Sequence, residues 1–256
     1  MNIFLFAHQD DEYGVYALLE LLVARGEAIK VIYLTSGTLD GRKSEQRNRE
    51  SVRVLSKLGV SKQSILFLGA ELGLPDGKLF QHVEIAALAL REYFSNGVAP
   101  SRIFTPAWEG GHQDHDATYI IGCYLAQVFS CLASSRQFPL YHGRGLPGSL
   151  WHTFSPLPEN GPVEATRMTW RQRLRYLHFC LLYRSQWLTW LGLYPMYALK
   201  LLTSGRQYLQ PLRLKRLKHS PHPGPPLYER RGFCDRKQFG YHTTALIDKI
   251  IADSRS

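Results

Sequence analysis

At 256 residues with 45% hydrophobic side chains, the chain is long and apolar enough to bury a substantial core as a globular protein. Its four cysteines, Cys123, Cys131, Cys180 and Cys234, form no Cys-x-x-Cys pair, which excludes a zinc knuckle and fits reduced thiols of a cytoplasmic protein. The formal net charge of +10 is concentrated, because residues 165–220 hold eleven Lys and Arg and no Asp or Glu.

In chain order, Ile3 to Ala7 predicts a buried first strand. Tyr13 to Arg25 predicts a helix, with Val15, Leu18, Leu19, Leu22 and Val23 at helical spacing and Gly26 as its stop. Ile29 to Leu34 is a second strand. A helix opens at Ser44 and ends at Gly59. Ile65 to Leu68 is a third strand, followed by the turn Leu74-Pro75-Asp76-Gly77. Gln81 to Phe94 is a helix, Arg102 to Thr105 a fourth strand, and Ala117 to Ala133 a further helix. Short strands are expected between Phe138 and Pro158, a helix over 165–186, a proline-rich extended linker or exposed loop from His219 to Pro226, and a last amphipathic helix from Phe239 to Ala252. The alternation predicts an α/β fold, a Rossmann-like mostly parallel sheet flanked by helices, with an extra basic aromatic helical segment near the C-terminus. Residues 1–164 form the α/β core in this reading, and 165–256 are a helical extension completing the same domain. The first loop lacks Gly-x-Gly-x-x-Gly, so no dinucleotide is expected. No basic lead and cleavage site stand at the N-terminus, so no signal peptide is expected.

Two clusters carry the chemistry. Ala7-His8-Gln9-Asp10-Asp11-Glu12 brings one imidazole and three carboxylates together within five residues. Carboxylates so crowded repel unless a cation or proton lies between them. Taken alone, the stretch also fits a helix start with first-turn acids. The second cluster, Glu109-Gly110-Gly111-His112-Gln113-Asp114-His115-Asp116, follows the fourth strand as the first follows strand one. Such junctions share the ligand-binding edge of a parallel sheet.

Ala-His-x-Asp-Asp-Glu with His-x-Asp-His resembles the zinc-dependent N-deacetylases of the LmbE and PIG-L type, over roughly residues 1–125. The family usually has proline where Gln9 stands. The resemblance implies one Zn2+ per chain on His8, Asp11 and His115, with Asp10 as general base and acid; beside the zinc, a protonated His112 is expected to stabilise the oxyanion, and Asp114 to hold one of the imidazoles in its tautomer. It implies substrate contacts from Arg47 in an Arg-x-x-Glu helix and from Asp76. For Arg47 and Glu50 the plain alternative is a helix-surface pair, and for Asp76 an ordinary turn. A late Ser185-Gln186 resembles a further family motif and places the preceding helix near the site. The implied substrate is an N-acetylhexosamine conjugate; taken with the basic aromatic segment, it is expected to be a lipid- or nucleotide-linked precursor in glycan assembly.

The same two-histidine, one-carboxylate set also describes a non-haem iron site. The basic aromatic segment fits helices in a membrane interface, packing on the sheet or a second subunit, or a binding protein for membrane or nucleic acid. The expected partners are the sugar conjugate and, through 165–220, the inner face of a membrane. No nucleic acid is expected, and the oligomeric state stays open.

Overall fold

The computed structural model describes residues 1–40 and 42–254. Its first half alternates strands and helices: β1 (Asn2–Phe6), α1 (Tyr16–Ala24), β2 (Ile29–Tyr33), α2 (Ser44–Lys57), β3 (Ile65–Leu66), α3 (Leu68–Glu71), α4 (Val83–Ser95), β4 (Arg102–Pro106) and α5 (Gln113–Val128). β5 (Arg136–Phe138), β6 (Tyr141–His142), β7 (His152–Thr153) and β8 (Glu164–Arg167) follow. The chain closes with α6 (Trp170–Cys180), α7 (Trp187–Thr203), β9 (Arg206–Pro211), α8 (Leu227–Arg230) and α9 (Arg236–Asp253).

The main sheet runs β3-β2-β1-β4-β5-β9-β8, parallel from β3 to β5 and antiparallel at β9 and β8. β1 reads as an unbroken apolar run because both its faces are covered. Ile3 and Leu5 pack towards α4, α5 and α9, and Phe4 and Phe6 towards α1, α6 and α7. β1 leads outward to β2 and β3 on one side and pairs with β4 on the other. That reversal opens a crevice at the carboxyl ends of β1 and β4, and both motif loops leave from there.

Two expectations change in the second half. Residues 165–220 are not all helical, since β8 and β9, separated in the chain by α6 and α7, form an antiparallel pair that extends the sheet beyond β5. Gln207, Leu209 and Gln210 are buried there, and Gln207 Oε1 accepts from the amides of Ala17 and Leu18 at 3.0 and 3.2 Å. Tertiary partners, not local periodicity, make this a strand. The helix expected from residue 165 therefore starts at Trp170, where Thr169 and Gln172 form a capping box. The proline-rich stretch is not an exposed linker throughout, because Pro221, His222 and Pro226 are buried, and the amide of Leu227 donates to Gly110 O at 2.7 Å. α5 also begins four residues earlier than expected: Asp114 and Asp116 suit the positive end of a helix.

Candidate active site

β1 ends at Phe6 and delivers His8 to Glu12 into the crevice. Asp10 holds φ of 129°, outside the regions that side chains other than glycine ordinarily adopt, a conformation that costs about 1–3 kcal/mol and persists only when its surroundings fix it. Glu12 supplies the fixing. It is fully buried, accepts from the Asp10 amide at 2.9 Å, and is gripped by the hydroxyls of Tyr33 and Tyr183 at 2.7 and 2.6 Å. Burial raises the Glu12 carboxyl above the usual range, and these donors oppose the rise.

The second loop is held as tightly. Asp116 accepts from the amides of Glu109 and Gly110, and Glu109 in turn accepts from those of Leu140 and Tyr141. A side chain at Gly111 would place its Cβ 1.9 Å from Tyr141 O, so the loop needs glycine there. His112 caps α5, its Nδ1 accepting from the Asp114 amide at 3.1 Å, which leaves Nε2 to carry the proton of the neutral ring.

Between the loops the side chains converge. His115 Nε2 lies 3.0 Å from Asp11 Oδ1, and His8 Nδ1 lies 3.7 Å from Asp11 Oδ2. The other nitrogen of His8 faces Asp76 and Asp114 at 3.1 and 3.2 Å. Asp114 also accepts from the amides of Gly77 and Leu79, so it ties the strand-three loop to His8. The donor atoms of His8, Asp11 and His115 all lie within 4.8 Å of one another, as do those of His8, Asp76 and His112. Three imidazoles and the carboxylates of Asp10, Asp11 and Asp76 lining one pocket suit a divalent cation.

The electrostatics agree. Burial works against charge on Asp11, yet His115 and His8 hold its carboxyl well below the usual range. Burial likewise opposes charge on His8, and Asp76 and Asp11 overcome it, raising the imidazole well above its ordinary value. Burial pushes the Asp10 carboxyl up to about 8, with Asp11 and Glu12 adding to it and Arg47 and His8 opposing. Burial, with His8 and His115 nearby, lowers His112 to about 4. His112 is therefore a neutral donor at pH 7, not the protonated imidazole expected from the sequence, because burial beside two other imidazoles disfavours its charge.

Arg47 and Asp76 also reach the pocket. Arg47 is 4% exposed, donates to Gly37 O and to Gln9 O, and lies 3.3 Å from Asp76 and 3.6 Å from Asp10. It is not half of a helix-surface pair, because Glu50 turns instead to Ser185, accepting from its amide at 3.0 Å. Gln186, with its amide oxygen turned to Arg47, accepts from Nε at 3.1 Å. Gln9 takes the place of the stiff proline by donating to Asn48 Oδ1 at 2.7 Å, which fastens the loop to α2.

These groups line a cavity of about 210 Å3. Tyr13, Tyr141, Thr189, Leu193 and Arg231 complete its wall, and sequence reasoning did not foresee them. None lies in a motif of its own, and Arg231 arrives from beyond the last strand. A second cavity of about 210 Å3 shares Tyr141, Thr189, Leu193 and Arg231 and continues to Trp151, on whose ring the Arg231 guanidinium stacks at 4.9 Å.

Comparison with known proteins follows the same residues. The model of the PIG-L family, described as GlcNAc-PI de-N-acetylase, matches residues 3–124. No curated protein matches. Among solved structures, a deacetylase of the teicoplanin biosynthetic pathway is 17% identical, with 82% of this chain and 96% of that one covered and a TM-score of 0.58. The N,N'-diacetylchitobiose deacetylase of Pyrococcus horikoshii is 19% identical over 83% of this chain and 82% of its own, with a TM-score of 0.55. A conserved protein of Thermus thermophilus is 18% identical over 82% of this chain and 92% of its own, with a TM-score of 0.53. At these identities the structures establish a shared fold. The stretch that matches the PIG-L family model, residues 3–124, spans both motif loops.

Proposed function

We propose that the protein hydrolyses the N-acetyl group of an N-acetylhexosamine conjugate, with one zinc ion per chain held by His8, Asp11 and His115. The observation that carries this reading is the convergence of those three residues with Asp10 and His112 in one buried cavity. The donor set fits the metal: two imidazoles and one ionised carboxylate are the composition of many catalytic zinc sites, which keep a fourth position open. When bound, zinc supplies Lewis acidity and lowers the pKa of water at the site.

The rest is the work of this chain's residues. Asp10 takes a proton from the attacking water as the oxygen closes on the acetyl carbon. The strained loop fixes where its carboxylate points, and a cation on His8, Asp11 and His115 would lower a carboxyl that burial raises to about 8, towards the range of a working base. His112 donates from Nε2 to the oxyanion of the tetrahedral species, an electrostatic contribution that is large in a dry site. Asp10 then returns its proton to the departing amine, giving acetate and the free amino sugar. Asp114 holds His8 in one tautomer and orientation. Arg47 and Asp76 meet sugar hydroxyls. The cavity's continuation to Trp151 and Arg231 leaves room for a group attached to the sugar, so a lipid- or nucleotide-linked substrate is preferred to the free monosaccharide.

The test is acetate release from N-acetylglucosamine and from its nucleotide- and lipid-linked forms, before and after chelation. Activity that falls with chelation, returns with zinc and needs no oxygen is expected. Activity untouched by full metal removal, or requiring iron and oxygen, overturns the reading.

A further inference from the structure

Helix α7 faces three surroundings. Trp190, Tyr197 and Leu201 are buried in the core. Thr189 and Leu193 line the cavity described above. Leu188, Leu191, Pro195, Leu199 and Leu202 recur at intervals of three and four, which puts them on one stripe. That stripe is open to solvent, with Leu188 66%, Leu191 69% and Leu199 58% exposed. Beside it a groove of about 370 Å3, lined by Leu181, Trp187, Leu191 and Tyr194, runs between α7 and the end of α6.

The C-terminal end of α7 borders an open depression of about 490 Å3 with a different character. Arg167 and Arg206 are directly opposed in the β8–β9 register, and both line it. Like charges so placed repel, and neither forms an ion pair among the described residues. Arg173 adds a third cation. It is 5% exposed, stacks on Trp170 at 4.3 Å, and donates to the carbonyls of Met168 and Leu202 at 3.1 and 3.0 Å. It has no carboxylate partner among the described residues. A buried cation without a counter-charge is costly, and an anion in the depression would relieve all three. Thr203 and Ser204 offer hydroxyls to the same anion.

We propose that the α6–α7 face docks on an anionic phospholipid bilayer, with the leucine stripe entering the headgroup–acyl boundary and Arg167, Arg173 and Arg206 holding a lipid phosphate. An apolar stripe flanked by cations is the pattern of an interfacial helix. The absence of any acidic residue from 165 to 220 matches the negative potential of such a surface. Among the described residues, no helix is long and apolar enough to cross a membrane, so the contact is peripheral. A second copy of the chain would set the same cations against each other across a two-fold interface. A nucleic acid would use the arginines and leave the leucines in water. Because α7 also lines the cavity, docking would bring that cavity close to the bilayer.

The proposal is tested by binding alone, apart from any catalysis. The full chain is sedimented with phosphatidylcholine vesicles, with and without phosphatidylglycerol. Binding is expected only with the anionic lipid, and salt should weaken it. The double variant Leu191→Asp/Leu199→Asp should lower partitioning by about tenfold or more. Arg167→Glu/Arg206→Glu should lower it comparably and flatten the salt dependence. Both pairs lie on the surface, and circular dichroism melting checks that each variant stays folded. The proposal fails if anionic lipid adds nothing, if both folded variants bind as the native chain does, if a single-stranded oligonucleotide binds more tightly than the vesicles, or if the face proves to hold a dimer that the leucine variant disperses.

Discussion

Asp10 concentrates the local chemistry in one residue. Its backbone is strained, its carboxyl is raised by burial, and its position is set by Glu12 through the loop amide. Asp10→Asn keeps the shape and the hydrogen bonds of the loop but cannot carry a proton between water and amine. Turnover should fall on the order of 100- to 10,000-fold, while metal analysis of the purified variant shows zinc unchanged. His115→Ala separates the other role. It leaves Asp11 with one imidazole neighbour in place of two, so tight zinc should be lost from the purified protein, read as zinc per chain against the native enzyme. A variant that still held one zinc per chain would show that the ligand set is different. His8, Asp10, Asp11, His112 and His115 could be picked out from the sequence because side chains so costly to crowd together need a common reason. Tyr183 and Arg231 could not, since a lone tyrosine or arginine is common on any surface.

At the scale of elements, the site depends on how firmly two loops are pinned to the ends of β1 and β4. The β6–β7 pair stands beside the second loop, with Tyr141 in the cavity wall and His142 behind it. His142 is 3% exposed, Nε2 donating to Ser155 O at 2.9 Å and Nδ1 accepting from the Arg144 amide. Burial lowers its pKa from 6.5 to about 4, with Ser155 opposing and His152 and His222 adding to the drop. The unfolded chain therefore binds a proton at a pH where the folded chain does not. The stability this residue contributes is fully present above about 6.5 and is lost as pH falls from there towards about 4. His142→Gln should show a smaller loss of denaturation midpoint than the native protein between about pH 7 and about pH 5, since the other titrating groups are common to both. Helices α1, α2 and α4 and the first four strands could be read from periodicity and glycine stops, because each is a local amphipathic or fully apolar pattern. The start of α5 at Gln113 could not, as its first turn is made of polar residues that serve the site.

For the whole molecule, the cores on both sides of the sheet draw on residues beyond the matched family stretch. The core on one side of the sheet includes Leu212, Leu217, Phe239, Leu246 and Ile250, and the core on the other side includes Tyr176, Tyr183, Tyr197 and Leu209. Tyr119 on α5 accepts from the Arg213 amide at 3.0 Å, and β9 covers the edge of β5. Residues 1–164 expressed alone should therefore fail to fold cooperatively, seen as no sigmoidal thermal melt by circular dichroism, whereas the full chain melts in one transition. A stable, cooperatively melting fragment would show that the later residues are an accessory layer.

The sequence by itself determined the alternating α/β order, the two clusters at the carboxyl ends of strands one and four, and the one-signed charge of residues 165–220. Each of these is written in neighbouring residues, where spacing and composition suffice. Only the tertiary structure decided that Glu12 and the tyrosines hold Asp10 in place, that Arg47 turns inward, that residues 206–211 become a sheet strand, and that α7 shows leucines to solvent while its flank lines the cavity. Those outcomes depend on which distant surfaces meet. Burial, unlike periodicity, is a property of pairs of segments, and it sets the charge state of a carboxyl or imidazole only after the chain has closed around it.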